Sequence, residues 1–107
     1  MLDPAIVEPI QRYLRAVDAD GIRVRFGMVF GSWAANKADE WSDIDLVVVS
    51  PRFDGLITND DVDRLWQISA RIDSRIEPVP CGERQWNEDD SSAILEIARR
   101  HGEQVTP

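Results

Sequence analysis

Gly31-Ser32, a spacer of ten residues, and then Asp43-Ile44-Asp45 at the head of Leu46-Val47-Val48-Val49 decide how this chain reads. A strand has a side-chain period of two, so Asp43 and Asp45 project from the same face. Two carboxylates held that way suit Mg²⁺, a hard cation that prefers oxygen ligands and is often shared with substrate phosphates. The Gly-Ser turn ahead of them can approach such phosphates closely, because glycine admits a backbone near a ligand and the first amides of a helical turn attract anions. Ser32 adds a hydroxyl donor.

Working outward, residues 43–50 form the second strand and residues 22–30 the first, with Val24, Phe26, Met28 and Phe30 on one face and Arg23 and Arg25 on the other. Trp33 to Asn36 reads as one short helical turn, and residues 37–41 as a polar loop. Upstream, Asp3 caps and Pro4 opens a helix to about Asp18, with Ile6, Ile10, Tyr13, Leu14 and Val17 on one side. Downstream, Asn59 or Asp60 caps a helix to about Ser74, with Val62, Leu65, Trp66, Ser69 and Ile72 at helical spacing. Residues 75–80 make a short strand whose Pro78 and Pro80 predict an edge position or an early end. Asp89 or Asp90 starts a last helix carrying Ala93, Ile94, Ile97 and Ala98, which Gly102 ends, and Glu103 to Val105 adds a final short strand. Only about eleven residues join the first two strands, too few for a full crossover helix. The expectation is an α+β fold, a small mixed β-sheet with helices mainly on one face, forming one domain over residues 1–107.

Composition narrows the function. Twenty acids against twelve bases give a net charge of −8, which argues against general nucleic-acid binding, since that relies on clustered Lys and Arg. It does not exclude a nucleotide ligand, because divalent ions bridge carboxylates to phosphates. One cysteine, Cys81, excludes an intrachain disulfide and fits a cytoplasmic protein. One His and one Cys make a zinc site an unpromising reading. Asp3 and Glu8 interrupt any signal-peptide pattern, and the apolar run at 46–49 is too short to span a membrane.

A two-metal site commonly needs a third carboxylate. Glu77, at the start of the third strand in an apolar context, is the first candidate, and Asp73 the alternative, although an acid at a helix end opposes the dipole. Trp66 at helical spacing reads as core. Trp33 and Trp41 flank the motif and read equally as walls of a nucleotide pocket or as partner contacts. Lys37 and Arg52 read as solvated surface, Cys81 and His101 as structural or exposed, and the Glu88-Asp89-Asp90 run as helix-start charge.

Gly31-Ser32, Ala34 and Ser42-Asp43-Ile44-Asp45-Leu46-Val47-Val48 resemble the minimal nucleotidyltransferases of the polymerase beta superfamily. The ten-residue spacing is that of the MNT-type antitoxins paired with HEPN toxins, and the resemblance covers essentially the whole chain. It departs at Trp33, where the family often has Arg, and at Asn36, where it often has Gly. The third acid, often Asp, is here Glu77.

The resemblance implies a polymerase-beta-like nucleotidyltransferase domain. Gly31 and Ser32 would hold the nucleotide, and Asp43, Asp45 and Glu77 would carry catalysis and hold Mg²⁺, with two ions expected. The implied reaction moves AMP from ATP to an acceptor hydroxyl, a tyrosine of a HEPN toxin, which makes the chain an antitoxin. Larger relatives carry an extra acceptor-binding domain for which 107 residues leave no space, so the expected partner is a HEPN-type toxin or a second copy in a homo-oligomer. Two other functions compete: an antitoxin that acts by contact alone, and a stand-alone transferase acting on a small molecule such as an aminoglycoside.

Overall fold

The computed structural model describes residues 2–89 and 91–107. Helix α1 (Pro4–Ala19) begins where the Asp3 carboxylate accepts the Ala5 amide at 2.9 Å and Pro4 takes the first helical position. An N–H missing there has no intrahelical partner to lose. Ile6, Ile10, Tyr13, Leu14 and Val17 are buried, as their spacing predicts. Strands β1 (Phe26–Phe30) and β2 (Ile44–Ser50) follow, then α2 (Asn59–Ile72), β3 (Ile76–Gly82), α3 (Glu83–Glu88), α4 (Ala93–His101) and β4 (Glu103–Val105). A 3-10 turn, Pro51–Asp54, leads out of β2.

The sheet order is β3-β2-β1-β4. β1 runs antiparallel to β2 and to β4, whereas β2 and β3 are parallel. The short link after β1 therefore turns straight back, and α2 serves as the crossover that a parallel pair requires. The fold is the expected α+β arrangement with a mixed sheet. β3 is an edge strand, the position its two prolines tolerate. Among the described residues no helix is long and apolar enough to cross a membrane.

The two long helices share one face of the sheet, where Ile6, Leu14, Leu65 and Ile68 pack on Leu46, Val48 and Ile76. On the other face Leu95 and Ala98 of α4 pack against Met28, Val47, Val49 and Cys81. β2 is thus buried on both sides, which is why residues 46–49 are apolar without alternation. Burial pushes the Cys81 thiol up to about 11, so it is a packing group and not a reactive one. The buried Tyr13 hydroxyl donates to the Leu65 carbonyl at 3.0 Å and ties α1 to α2.

Several elements differ from the sequence reading. β1 starts at Phe26, not at residue 22, so strict alternation holds only from there. Val24 joins the α1/α2 core, while Phe26 and Phe30 pack on the α4 side. β3 starts one residue later than expected and runs on to Gly82. The α2 cap is Thr58, whose hydroxyl accepts the Asp61 amide at 3.1 Å. The buried stripe of α2 runs through Leu65, Ile68 and Ser69, leaving Trp66 46% exposed and outside the core. Ser69 earns its buried place by donating its hydroxyl to the Ile76 carbonyl. Ser92, not Asp89, caps α4; Asp90, the other candidate, lies outside the described residues. Ile94 and Ile97 are half exposed, because Leu95 and Ala98 carry the packing instead. Helix α3 was not expected at all. Its Arg84 amide is held by Asp54, and Arg99 donates to the carbonyls of Trp86 and Gln85 at its far end.

Candidate active site

Pairing across the sheet builds the site around Asp45. On one side Asp45 faces Phe30, the last residue of β1, so the Gly31 turn emerges beside it. On the other side it faces Glu77 of β3. Partners in register point to the same face, and Asp43 precedes Asp45 by the two-residue strand period. Asp43 lies near enough to Glu77 for its charge to raise the Glu77 carboxyl. The three sequence-predicted acids are therefore gathered beside the Gly31-Ser32 turn.

Gly31 is required at that place for two reasons. Its φ is +75°, a left-handed conformation that costs other L-residues. A Cβ there would also overlap the Asp45 carboxylate. The turn closes as one helical loop: the Ala35 amide donates to Gly31 O at 3.1 Å and the Lys37 amide to Ser32 O at 2.9 Å. Asn36 takes φ 56°, which its side chain tolerates better than most.

The electrostatics are those of anions held together. Burial, then the neighbouring Asp43 charge, raises the Asp45 carboxyl above its ordinary range. Glu77 is raised by desolvation first, then by the charge and hydrogen bond of Asp43 and the charge of Asp45. Among the described residues no three His, Cys, Asp or Glu side chains close to metal-ligating distance, so the acids are gathered without forming a ready coordination shell. Their donor set, carboxylate oxygen alone, fits a hard divalent cation.

Asp73 is committed elsewhere. Arg75 grips it through Nε at 3.0 Å and Nη2 at 2.7 Å, and this pairing holds the Asp73 carboxyl below the usual range. Trp33 is buried, donating Nε1–H to Ser42 O at 3.1 Å, so it walls no nucleotide pocket. Trp41 is 83% exposed beside Asp43. Arg52 is not simply solvated, since its guanidinium pairs with the buried Asp61 at 3.1 Å, whereas Lys37 is exposed. An open groove of about 670 Å³ lies between α1 and β4, at the sheet edge opposite Glu77 and apart from these acids.

Sequence reasoning missed Arg75. Its signal was the Asp73-Ser74-Arg75 spacing, which permits an Asx-type turn with a fork-on-carboxylate pair, but nothing local announces the longer contacts to Glu40 and Trp33.

A family model for the nucleotidyltransferase domain matches residues 11–95. No curated protein matches the chain. Among solved structures, a candidate nucleotidyltransferase from Sulfolobus solfataricus superposes with a TM-score of 0.63 at 14% identity, over 92% of this chain and 77% of that one. A toxin-antitoxin solved with AMP-PNP superposes with a TM-score of 0.59 at 21% identity, over 88% of this chain and 70% of that one. At these identities the likeness is one of fold.

Proposed function

Because the chain belongs to the nucleotidyltransferase-domain family and is thus a transferase, we propose that it moves AMP from ATP, with Mg²⁺, onto a hydroxyl of a partner protein. The observation that carries this reading is the register of Asp45 between the Gly31 turn and Glu77. The partner in this reading is a HEPN-type toxin and the hydroxyl that of a tyrosine, which makes the chain an antitoxin. The motif spacing supports that choice, as does a structural neighbour that is a toxin-antitoxin solved with AMP-PNP.

Asp43, Asp45 and Glu77 would hold the metal. Divalent ions bound there neutralise triphosphate charge and make an attacking hydroxyl more acidic. The chain's own groups do the rest. Ser32 donates its hydroxyl to a β- or γ-phosphate oxygen, and the turn amides add to that cradle. The acceptor oxygen attacks the α-phosphorus, the bond from that phosphorus to the bridging oxygen breaks, and pyrophosphate leaves. In this reading Glu77 assists removal of the acceptor proton.

The test is label transfer from α-phosphate-labelled ATP to the protein encoded beside this one. The expected product is labelled partner, with the label on tyrosine, that disappears in Asp43→Asn and in chelator. Full neutralisation of that partner by an Asp43→Ala/Asp45→Ala double variant that binds no Mg-ATP would instead make contact the function. Label on a small hydroxyl compound, with no protein acceptor present, would favour the small-molecule transferase.

A further inference from the structure

Arg75 touches every segment that builds the site, and three of its five N–H donors are engaged within the protein. Its Nε and Nη2 are engaged by Asp73, and its Nη1 donates to Glu40 O at 3.1 Å. Its guanidinium carbon lies 5.8 Å from the centre of the Trp33 ring. Its own carbonyl accepts the Ile44 amide at 2.7 Å. Trp33 follows Ser32 of the phosphate turn, Ile44 separates Asp43 from Asp45, and Glu77 lies two residues beyond Arg75.

The loop between turn and acids needs such anchors. Lys37, Asp39, Glu40 and Trp41 are exposed, so packing does not hold them. Within the loop, Asp39 and Ser42 bond only to each other and to Trp41: Ser42 Oγ accepts the Asp39 amide at 3.1 Å, and Asp39 accepts the Trp41 amide at 2.9 Å. At its start the loop is tied by the Lys37 amide to Ser32 O and by Ala38 packing on the core; beyond that, the ties are Trp33 to Ser42 O and Arg75 to Glu40 O. The Asp73 fork fixes the guanidinium plane that both the Glu40 contact and the Trp33 stacking need.

We infer that Arg75, with Trp33, is a positioning residue for nucleotidyl transfer: the pair holds residues 37–42 and so sets the distance between the Ser32 turn and the three carboxylates. This rests on the transferase chemistry above. It adds a prediction that the chemistry alone does not make, because the Arg75 guanidinium contacts Asp73, Glu40 and Trp33 and none of the three carboxylates.

Arg75→Lys tests it. A lysine is a single point charge that cannot grip Asp73 in a fork, reach Glu40 and cover Trp33 together. Two measurements are made on the intact protein: amide hydrogen exchange over residues 37–43, and kcat with KM for ATP. Exchange in that segment should quicken by about tenfold while the α1 and β2 core keeps its protection. kcat should fall by about tenfold to a hundredfold, with KM changed less than about threefold, because a misplacement remote from the chemistry acts on the transition state. Unchanged exchange, or a loss confined to KM, overturns the inference. If the wild-type protein transfers no nucleotide, the transferase reading fails by itself, and the exchange result still decides whether the clamp exists. Should Arg75→Lys not fold, Trp33→Phe, which keeps a ring but removes the donor to Ser42 O, is read by the same exchange.

Discussion

Gly31→Ala separates a backbone requirement from a site requirement. An alanine at φ +75° costs about 1–2 kcal/mol from left-handed strain. In a chain of 107 residues that lowers Tm by about 4–16 °C, since each kcal/mol shifts Tm by about 4–8 °C in a domain near this size. The new Cβ also overlaps the Asp45 carboxylate. Relief to an ordinary C···O contact of about 3.3–3.6 Å moves that carboxylate by about 1 Å. A displacement of that size at a reacting group costs on the order of a hundredfold in rate. Gly21→Ala is the matched control. Gly21 has φ +99°, and the nearest atom to its added Cβ is an Arg64 guanidinium nitrogen at 3.9 Å, away from the acids. Both variants should melt lower by similar amounts in differential scanning calorimetry. At a temperature where both remain folded, only Gly31→Ala should lose transfer of labelled AMP. Equal activity losses in the two would refute the steric argument, and an unshifted Tm in Gly31→Ala would refute the strain.

Other expectations concern charge and burial. In metal-free buffer Asp43→Asn should stabilise the protein at pH 7 by about 0.2–1 kcal/mol in urea titration, because it removes one of several like charges held together. The folded-state pKa values of Asp45 and Glu77 lie above their ordinary ones, so the folded form binds more protons. Stability carried by these two groups should therefore rise as pH falls from neutrality through the raised values toward the ordinary carboxylate range, and Mg²⁺ should remove that trend. Asp73 has the opposite sign: its lowered pKa stabilises the fold above the ordinary value of 3.8 and is lost as pH falls below it. Asp73→Asn should erase that acid limb from a Tm-against-pH curve. Tyr13→Phe removes a buried donor to the Leu65 carbonyl and should cost about 1 kcal/mol with no change in transfer rate.

What the sequence announced were features with local causes. The Asp3-Pro4 start of α1, the apolar run of β2, the prolines of the β3 edge and the Gly102 stop of α4 all act within a few residues, and each stands where it was expected. Strand periodicity likewise predicts Asp43 and Asp45 on one face before any tertiary contact is known. Bringing Glu77 alongside took the parallel β2/β3 register, which sequence supports only through the position of the third strand.

The rest was hidden because its cause lies far along the chain. Helix α3 has no apolar periodicity of its own. Asp54 and Arg99 hold its two ends, and Trp86 packs edge-on to Phe26 with ring centres 5.8 Å apart. Ile68 rather than Trp66 faces the core, while Ser69, already on the expected face, donates its hydroxyl to the Ile76 carbonyl. Trp33 read as a pocket wall or a partner contact, but it is buried, with Ser42 O and the Arg75 guanidinium beside it.

The most direct test of the site is calorimetric titration of AMP-PNP, with and without Mg²⁺, into the wild-type protein and into Asp45→Asn and Glu77→Gln. The expected result is binding by the wild type only when Mg²⁺ is present, with the metal-dependent part lost in both variants. Binding that is equal without the metal, or that survives both substitutions, would contradict a nucleotide site built on Asp43, Asp45 and Glu77.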